Sequence, residues 1–134
     1  MDCASVYARF LAINHEVDDS MIAVLTYPDG SVCTLEYLAH ADPNLPKERF
    51  EVSAEGRTAT CNNFRMTEFT GRRTLRTLSQ DKGQQAEIRE VMRAVQQGDP
   101  SPLALASIVN VSRVTFAMLE SASSGLPVRV PTAP

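Results

Sequence analysis

His40, Asp42, Asn44, Lys47 and Arg49 fall together between Ala39 and Arg49, interrupted by Pro43 and Pro46. Side chains of these types, gathered on one loop at the end of a sheet, can bind a polyol or a carboxylate through amide and ammonium donors. The same composition also describes a solvated loop that its prolines merely stiffen. A second group is Gln80-Asp81-Lys82-Gly83-Gln84-Gln85-Ala86-Glu87. Asp81 suits a helix cap, where its carboxylate meets unpaired N–H groups and the positive end of the dipole. Lys82 suits contact with a ligand. A third group, Arg72-Arg73-Thr74-Leu75-Arg76, offers three guanidiniums that can grip a phosphate or decorate an exposed edge strand and discourage edge-to-edge pairing. On residue types alone the plainer reading is favoured for each: solvated loop, cap and charged edge.

Few other residues can do chemistry. The chain has no Gly-x-Gly-x-x-Gly after a strand, no P-loop, no Gly-x-Ser-x-Gly and no His-Glu-x-x-His. His15 and His40 are its two histidines, so candidates for a general base near neutral pH are scarce. Neither stands near a cysteine or at helical spacing from the other, so no zinc site is expected. Cys3, Cys33 and Cys61 each lie inside a strand-like run and read as reduced packing residues. A net charge of −3 argues against nucleic acid or an anionic membrane as main partner. No apolar run approaches the roughly 18 residues of a membrane helix. No basic segment followed by an apolar core opens the chain, so a cytoplasmic protein is expected.

The elements that must hold these groups divide into a strand-rich front and a helical back. The 134 residues, 43% of them apolar, suffice for a folded domain, and one domain over 1–130 with a frayed, disordered tail at 131–134 is expected. Two apolar-rich runs, Met21 to Tyr27 and Val32 to Ala39, flank Pro28-Asp29-Gly30-Ser31, which predicts a tight hairpin turn. In the first run both alternating faces are apolar, as in a sheet covered on both sides. Phe50, Val52 and Ala54 alternate with Glu51 and Ser53, a half-buried strand ending at Glu55-Gly56. Arg57 to Cys61, Phe64 to Phe69 and Thr74 to Leu78 then continue an antiparallel meander with short connections. Ala86, Ile88, Val91, Met92 and Val95 mark an amphipathic helix stopped by Gly98. Ser101-Pro102 reads as an N-cap and first helical position. The following stripe, Leu105, Ile108, Val109, Ser112, Phe116 and Leu119, is expected to lie on the sheet, with Val111, Val114 and Met118 on a neighbouring face. Gly125 closes that helix, and Val128 to Val130 is an edge strand. Strands first and helices second predict an α+β two-layer sandwich.

The order of these pieces resembles one family. YPDGSVCTLEYLAH, PKERFEVSAEGRTATCNNF, QDKGQQAEI and then the Ser101-Pro102 helix down to LESASSGLPVRV are similar to the C-terminal domain of the Gfo/Idh/MocA oxidoreductases, in particular their bi-domain dehydrogenase branch. The resemblance runs from about Val17 to Val130. It implies a dihydrodipicolinate-reductase-like domain: a large, mostly antiparallel sheet with helices on one face. It further implies a homodimer through the open sheet face, and a small polar substrate contacted by His40, Lys47 and Lys82. The partner domain would be a Rossmann domain carrying NAD or NADP and the catalytic Lys of a Glu-Lys-Pro motif. That domain is missing from this sequence, so the chain is expected to bind no cofactor and to hold no catalytic residue. Gln84 stands where the resemblance leads one to expect His, and Gln cannot carry a proton at neutral pH.

Two functions are therefore expected in competition. One is the substrate-binding and oligomerisation domain of an NAD(P)-dependent oxidoreductase of a sugar or cyclitol, inactive alone. The other is a free-standing homodimeric α+β binding module that is not an enzyme.

Overall fold

The computed structural model describes residues 2–13 and 16–131; His15 and the expected frayed tail from 132 onward lie outside them. In chain order the elements are β1 (Ser5–Ile13), β2 (Glu16–Thr26), β3 (Val32–Tyr37), β4 (Arg49–Ala54), β5 (Arg57–Asn62), β6 (Met66–Phe69), β7 (Leu75–Arg76), α1 (Gln84–Gln97), α2 (Leu105–Ser124) and β8 (Val128–Arg129). The fold is α+β and all its strand pairs are antiparallel. The chain groups into two compact units, Met1–His40 with Leu103–Pro134, and Ala41–Pro102. Each unit has its own four-stranded sheet and its own helix.

The first unit orders its strands β3-β2-β1-β8. Its hairpin is the one expected at Pro28 to Ser31. Asp29 accepts from the Ser31 backbone N–H (3.0 Å) and from the Ser31 hydroxyl (2.9 Å), and the Gly30 N–H donates to the Tyr27 carbonyl at 3.0 Å. Gly30 holds φ 86°, a left-handed value that a Cβ disfavours. The register Val6↔Leu25 and Ala8↔Ala23 puts four small or branched apolar side chains on one face. Against this face lie Ala117 and Met118 of α2, with Val114 and Ala122 partly buried beside them. Positions 114, 117, 118, 121 and 122 form one helical stripe. Hydrophobic burial of that stripe against Val6, Ala8, Ala23 and Leu25 forms the core, closed by Cys3 and Val130.

The stripe expected to pack is not the one that packs. Phe116 is 70% exposed, and Leu105, Ile108 and Leu119 of the same stripe are exposed with it, as is Val111 of the neighbouring face. The neighbouring face, through Val114 and Met118, turns to the sheet. Ala8 and Ala23 leave little standing above the sheet, so the helix approaches closely, and close approach favours Ala117 and Ser121 over the bulkier side chains. Two other corrections concern ends and edges. The helix starts at Leu105, with Ala104 as its first carbonyl acceptor, because Pro102 ends the other unit instead of opening α2. Cys33 is exposed on β3, an edge strand, whereas Cys3 and Cys61 are buried as expected.

The sheet face opposite α2 carries Tyr7, Ile22 and Val24, and the first two are exposed. On β2 the apolar residues alternate to both faces as read from the sequence, but this face also carries Arg9, Thr34 and Glu36 from the neighbouring strands, and within this chain α2 covers only the other face.

The second unit orders its strands β4-β5-β6-β7. Glu55 and Gly56, both at positive φ, make the tight β4–β5 turn. The register Phe50↔Cys61 and Val52↔Ala59 collects the apolar side chains on one face. Glu51, Ser53, Thr58 and Thr60 share the other, where the Ser53 and Thr58 hydroxyls meet at 2.8 Å and the Thr60 hydroxyl donates to Glu51. Helix α1 spans Gln84–Gln97 and ends at a left-handed Gly98, as its periodicity predicts. Its buried residue is Ala94, while Ile88, Met92 and Val95 are exposed. The arginine run lies at the margin of this sheet, with Arg76 on the edge strand β7.

Candidate functional site

Within the second unit, the loop before β4, the β5–β6 turn and the segment before α1 converge. Pro43, Asn44, Leu45, Pro46, Lys47, Asn63, Gln80 and Lys82 line a concavity of about 480 Å³. Of the three residues assigned to substrate, Lys47 and Lys82 are brought together here. His40 ends the first unit and is not a lining residue.

The local chain explains each wall. An Asx turn shapes the first loop: the Asp42 carboxylate accepts from the Asn44 backbone N–H at 2.8 Å and from its side-chain amide at 3.0 Å. The prolines on either side of Leu45 restrict it further. Asn63 and Phe64 both adopt left-handed φ, near 52° and 53°. Asn tolerates that conformation, and Phe64 is held there by a tilted ring contact with Phe50, centroids 5.5 Å apart. The turn is anchored by the Asn63 N–H, which donates to the Glu48 carbonyl at 2.6 Å. Before α1, Asp81 accepts from the Gly83 N–H at 2.8 Å. The capping role expected for Asp81 is thus a local turn, and no side chain caps α1.

The organising residue is one that sequence reasoning passed over. Glu48 receives the Lys82 ammonium on one carboxylate oxygen and the Gln80 amide, at 3.5 Å, on the other. Gln80 also donates to the Asn63 side-chain oxygen at 2.6 Å and to its carbonyl at 3.1 Å. No periodicity marks Glu48, because it acts across 34 positions of sequence on Lys82. Lys82 and Glu48 are each about one-third exposed, 32% and 34%, so solvent screens the pair and it contributes at most about 1 kcal/mol. Its role is orientation. Lys47 makes no ion pair or hydrogen bond among the described residues. The arrangement can donate to and accept from hydroxyl groups at fixed positions, with one ammonium in excess.

No cluster of three or more His, Cys, Asp or Glu side chains suited to a metal occurs among the described residues. In the other unit, burial pushes the Cys3 thiol above its ordinary value and does the same to the Tyr27 phenol. Both sit in the core cluster, where their neutral forms pack. No described helix is long and apolar enough to cross a membrane.

No family model and no curated protein sequence matches the chain. Solved structures do. Levoglucosan dehydrogenase in complex with NADH and L-sorbose matches over 98% of this chain and 46% of its own, with a TM-score of 0.78 and 19% identity. An NAD binding oxidoreductase from Klebsiella pneumoniae matches over 98% and 46%, at TM-score 0.81 and 14% identity. An aldose-aldose oxidoreductase from Caulobacter crescentus, complexed with glycerol, matches over 96% and 41%, at TM-score 0.73 and 16% identity. At these identities the likeness is one of fold. The chain spans less than half the length of these structures, and they are oxidoreductases, as the sequence resemblance implied.

Proposed function

We propose that this chain is the substrate-binding and subunit-contact part of an NAD(P)-dependent oxidoreductase acting on a sugar or cyclitol, and that alone it transfers no hydride. The observation that carries this reading is the fold match over 98% of the chain to levoglucosan dehydrogenase holding NADH and L-sorbose, of which the chain spans 46%. The nicotinamide cofactor, bound elsewhere in the parent protein, supplies the hydride chemistry. The residues of this chain bind and orient. Lys47 and Lys82 face the substrate, Glu48 and Gln80 hold Lys82 and Asn63 in position, and His40 stays a proposed contact on the resemblance alone.

The surface supports a partnered state. The sheet face with Tyr7 and Ile22, 38% and 42% exposed, is the surface we assign to a second copy. That face serves equally a free-standing homodimeric binding module, the second reading.

The native mass in the source cells, read with an antibody against this chain, separates the two. A species larger than 14.7 kDa by at least about 100–150 residues is expected. A species at 14.7 kDa alone would overturn the oxidoreductase reading and leave the module.

A further inference from the structure

The two lysines of the concavity are not equivalent, and their difference points to the class of ligand. The Lys82 ammonium is already matched by the Glu48 carboxylate behind it. Lys47, which also lines the concavity, has no such partner among the described residues, and no acidic side chain is among the lining residues. The nearby carboxylates already have partners: Asp42 bonds Asn44, Asp81 bonds Gly83, and Glu48 bonds Lys82 and Gln80. The remaining polar groups are both donors and acceptors. The bond from the Gln80 amide nitrogen to the Asn63 side-chain oxygen fixes both amides in one orientation. It leaves the Asn63 NH₂ to donate and the Gln80 side-chain oxygen to accept. Paired donor and acceptor edges suit vicinal hydroxyls, and an unmatched ammonium suits a carboxylate.

We propose that this site takes a carboxylate-bearing polyol, a sugar acid, with its carboxylate on Lys47 and its hydroxyls on Asn63, Gln80 and Lys82. The proposal rests on the reading of the concavity as a substrate site and narrows it.

The test is a nuclear magnetic resonance titration of the full chain with D-gluconate, the neutral polyol D-glucitol and acetate, following the Asn63 and Gln80 side-chain amides. Gluconate should move both amides and bind more tightly than glucitol. Lys47→Gln should weaken gluconate by up to about five-fold, the upper range for an exposed ion pair, and weaken glucitol distinctly less. Lys47 is exposed and makes no hydrogen bond or ion pair among the described residues, so this variant should keep its structure. Glucitol binding as well as gluconate would overturn the carboxylate assignment and leave the polyol site standing. Acetate matching gluconate would overturn it as mere anion binding. No shift with any of the three would remove both this proposal and the substrate role of the concavity.

Discussion

Replacing Ser121 by Ala deletes one oxygen that serves two backbone groups, one of them buried. Ser121 is fully buried on α2. Its hydroxyl accepts from the Ala8 N–H at 2.9 Å and donates to the Leu126 carbonyl at 2.6 Å. β8 pairs with β1 only at Ser5 and Val6, so it ends before Ala8 and offers that N–H no carbonyl. The serine hydroxyl takes its place and at the same time pins the chain leaving α2. A buried donor or acceptor left without a partner costs about 1–3 kcal/mol. With the buried Ala8 N–H orphaned and the carbonyl of the exposed Leu126 free to turn to solvent, we expect Ser121→Ala to cost about 1–3 kcal/mol. Urea unfolding measures this, with an unchanged slope showing that the denatured state is unaffected. Amide exchange at Ala8 assigns the loss to the right place, and it should accelerate beyond the change in its neighbours. Ser112→Ala is the control. Its hydroxyl only bonds back to the Ile108 carbonyl on an exposed part of the same helix, so the change should stay within about 0.5 kcal/mol. A loss below about 0.5 kcal/mol for Ser121→Ala, or equal losses for the two variants, refutes the argument.

Three further outcomes are expected. Met118→Ala should cost about 2–5 kcal/mol and Phe116→Ala less than about 1; urea midpoints in the reverse order would show that α2 packs by its other face. Gly125→Ala places a Cβ at φ 72° and 3.0 Å from an Arg9 guanidinium nitrogen, while Gly30→Ala at φ 86° meets nothing within 4 Å. Because the guanidinium is the movable end of a long side chain, both should cost about 1–2 kcal/mol, the left-handed penalty alone; a much larger loss at Gly125 would mean Arg9 is fixed. The N–H and then the hydroxyl of Ser31 hold the Asp29 carboxyl below its ordinary 3.8. A lowered folded value means the turn is stabilised above that ordinary value and loses this contribution as pH falls through the lower folded one. Carboxyl titration followed by resonance shifts should find Asp29 acidic of 3.8, and Asp29→Asn should abolish the turn's acid sensitivity; a titration at or above 3.8 contradicts the hydrogen-bond account.

The residues lining the concavity were partly legible. Lys47 and Lys82 came from resemblance and residue type. Glu48, Asn63 and Gln80, which set their geometry, carry no local signature. A glutamate next to a lysine is ordinary on any loop until a distant segment folds onto it.

What the sequence determined by itself is the local conformation. Pro28 to Ser31, Glu55-Gly56 and the glycines at 98 and 125 place turns and helix ends, since positive φ and missing N–H groups act within a few residues. Alternation and the 3.6-residue stripe likewise assign strands and helices through contacts each segment makes along its own length. Only the tertiary structure decided which stripe of α2 is buried, that the strands close into two sheets, that Ser121 serves Ala8 across 113 positions, and that Glu48 neutralises one lysine and leaves the other. The physical reason is the same in each case. Burial and hydrogen bonding between segments depend on how closely two surfaces approach, and the side chains that permit the closest approach, Ala8, Ala23, Ala117 and Ser121, are the ones that look least like a core when read along the chain.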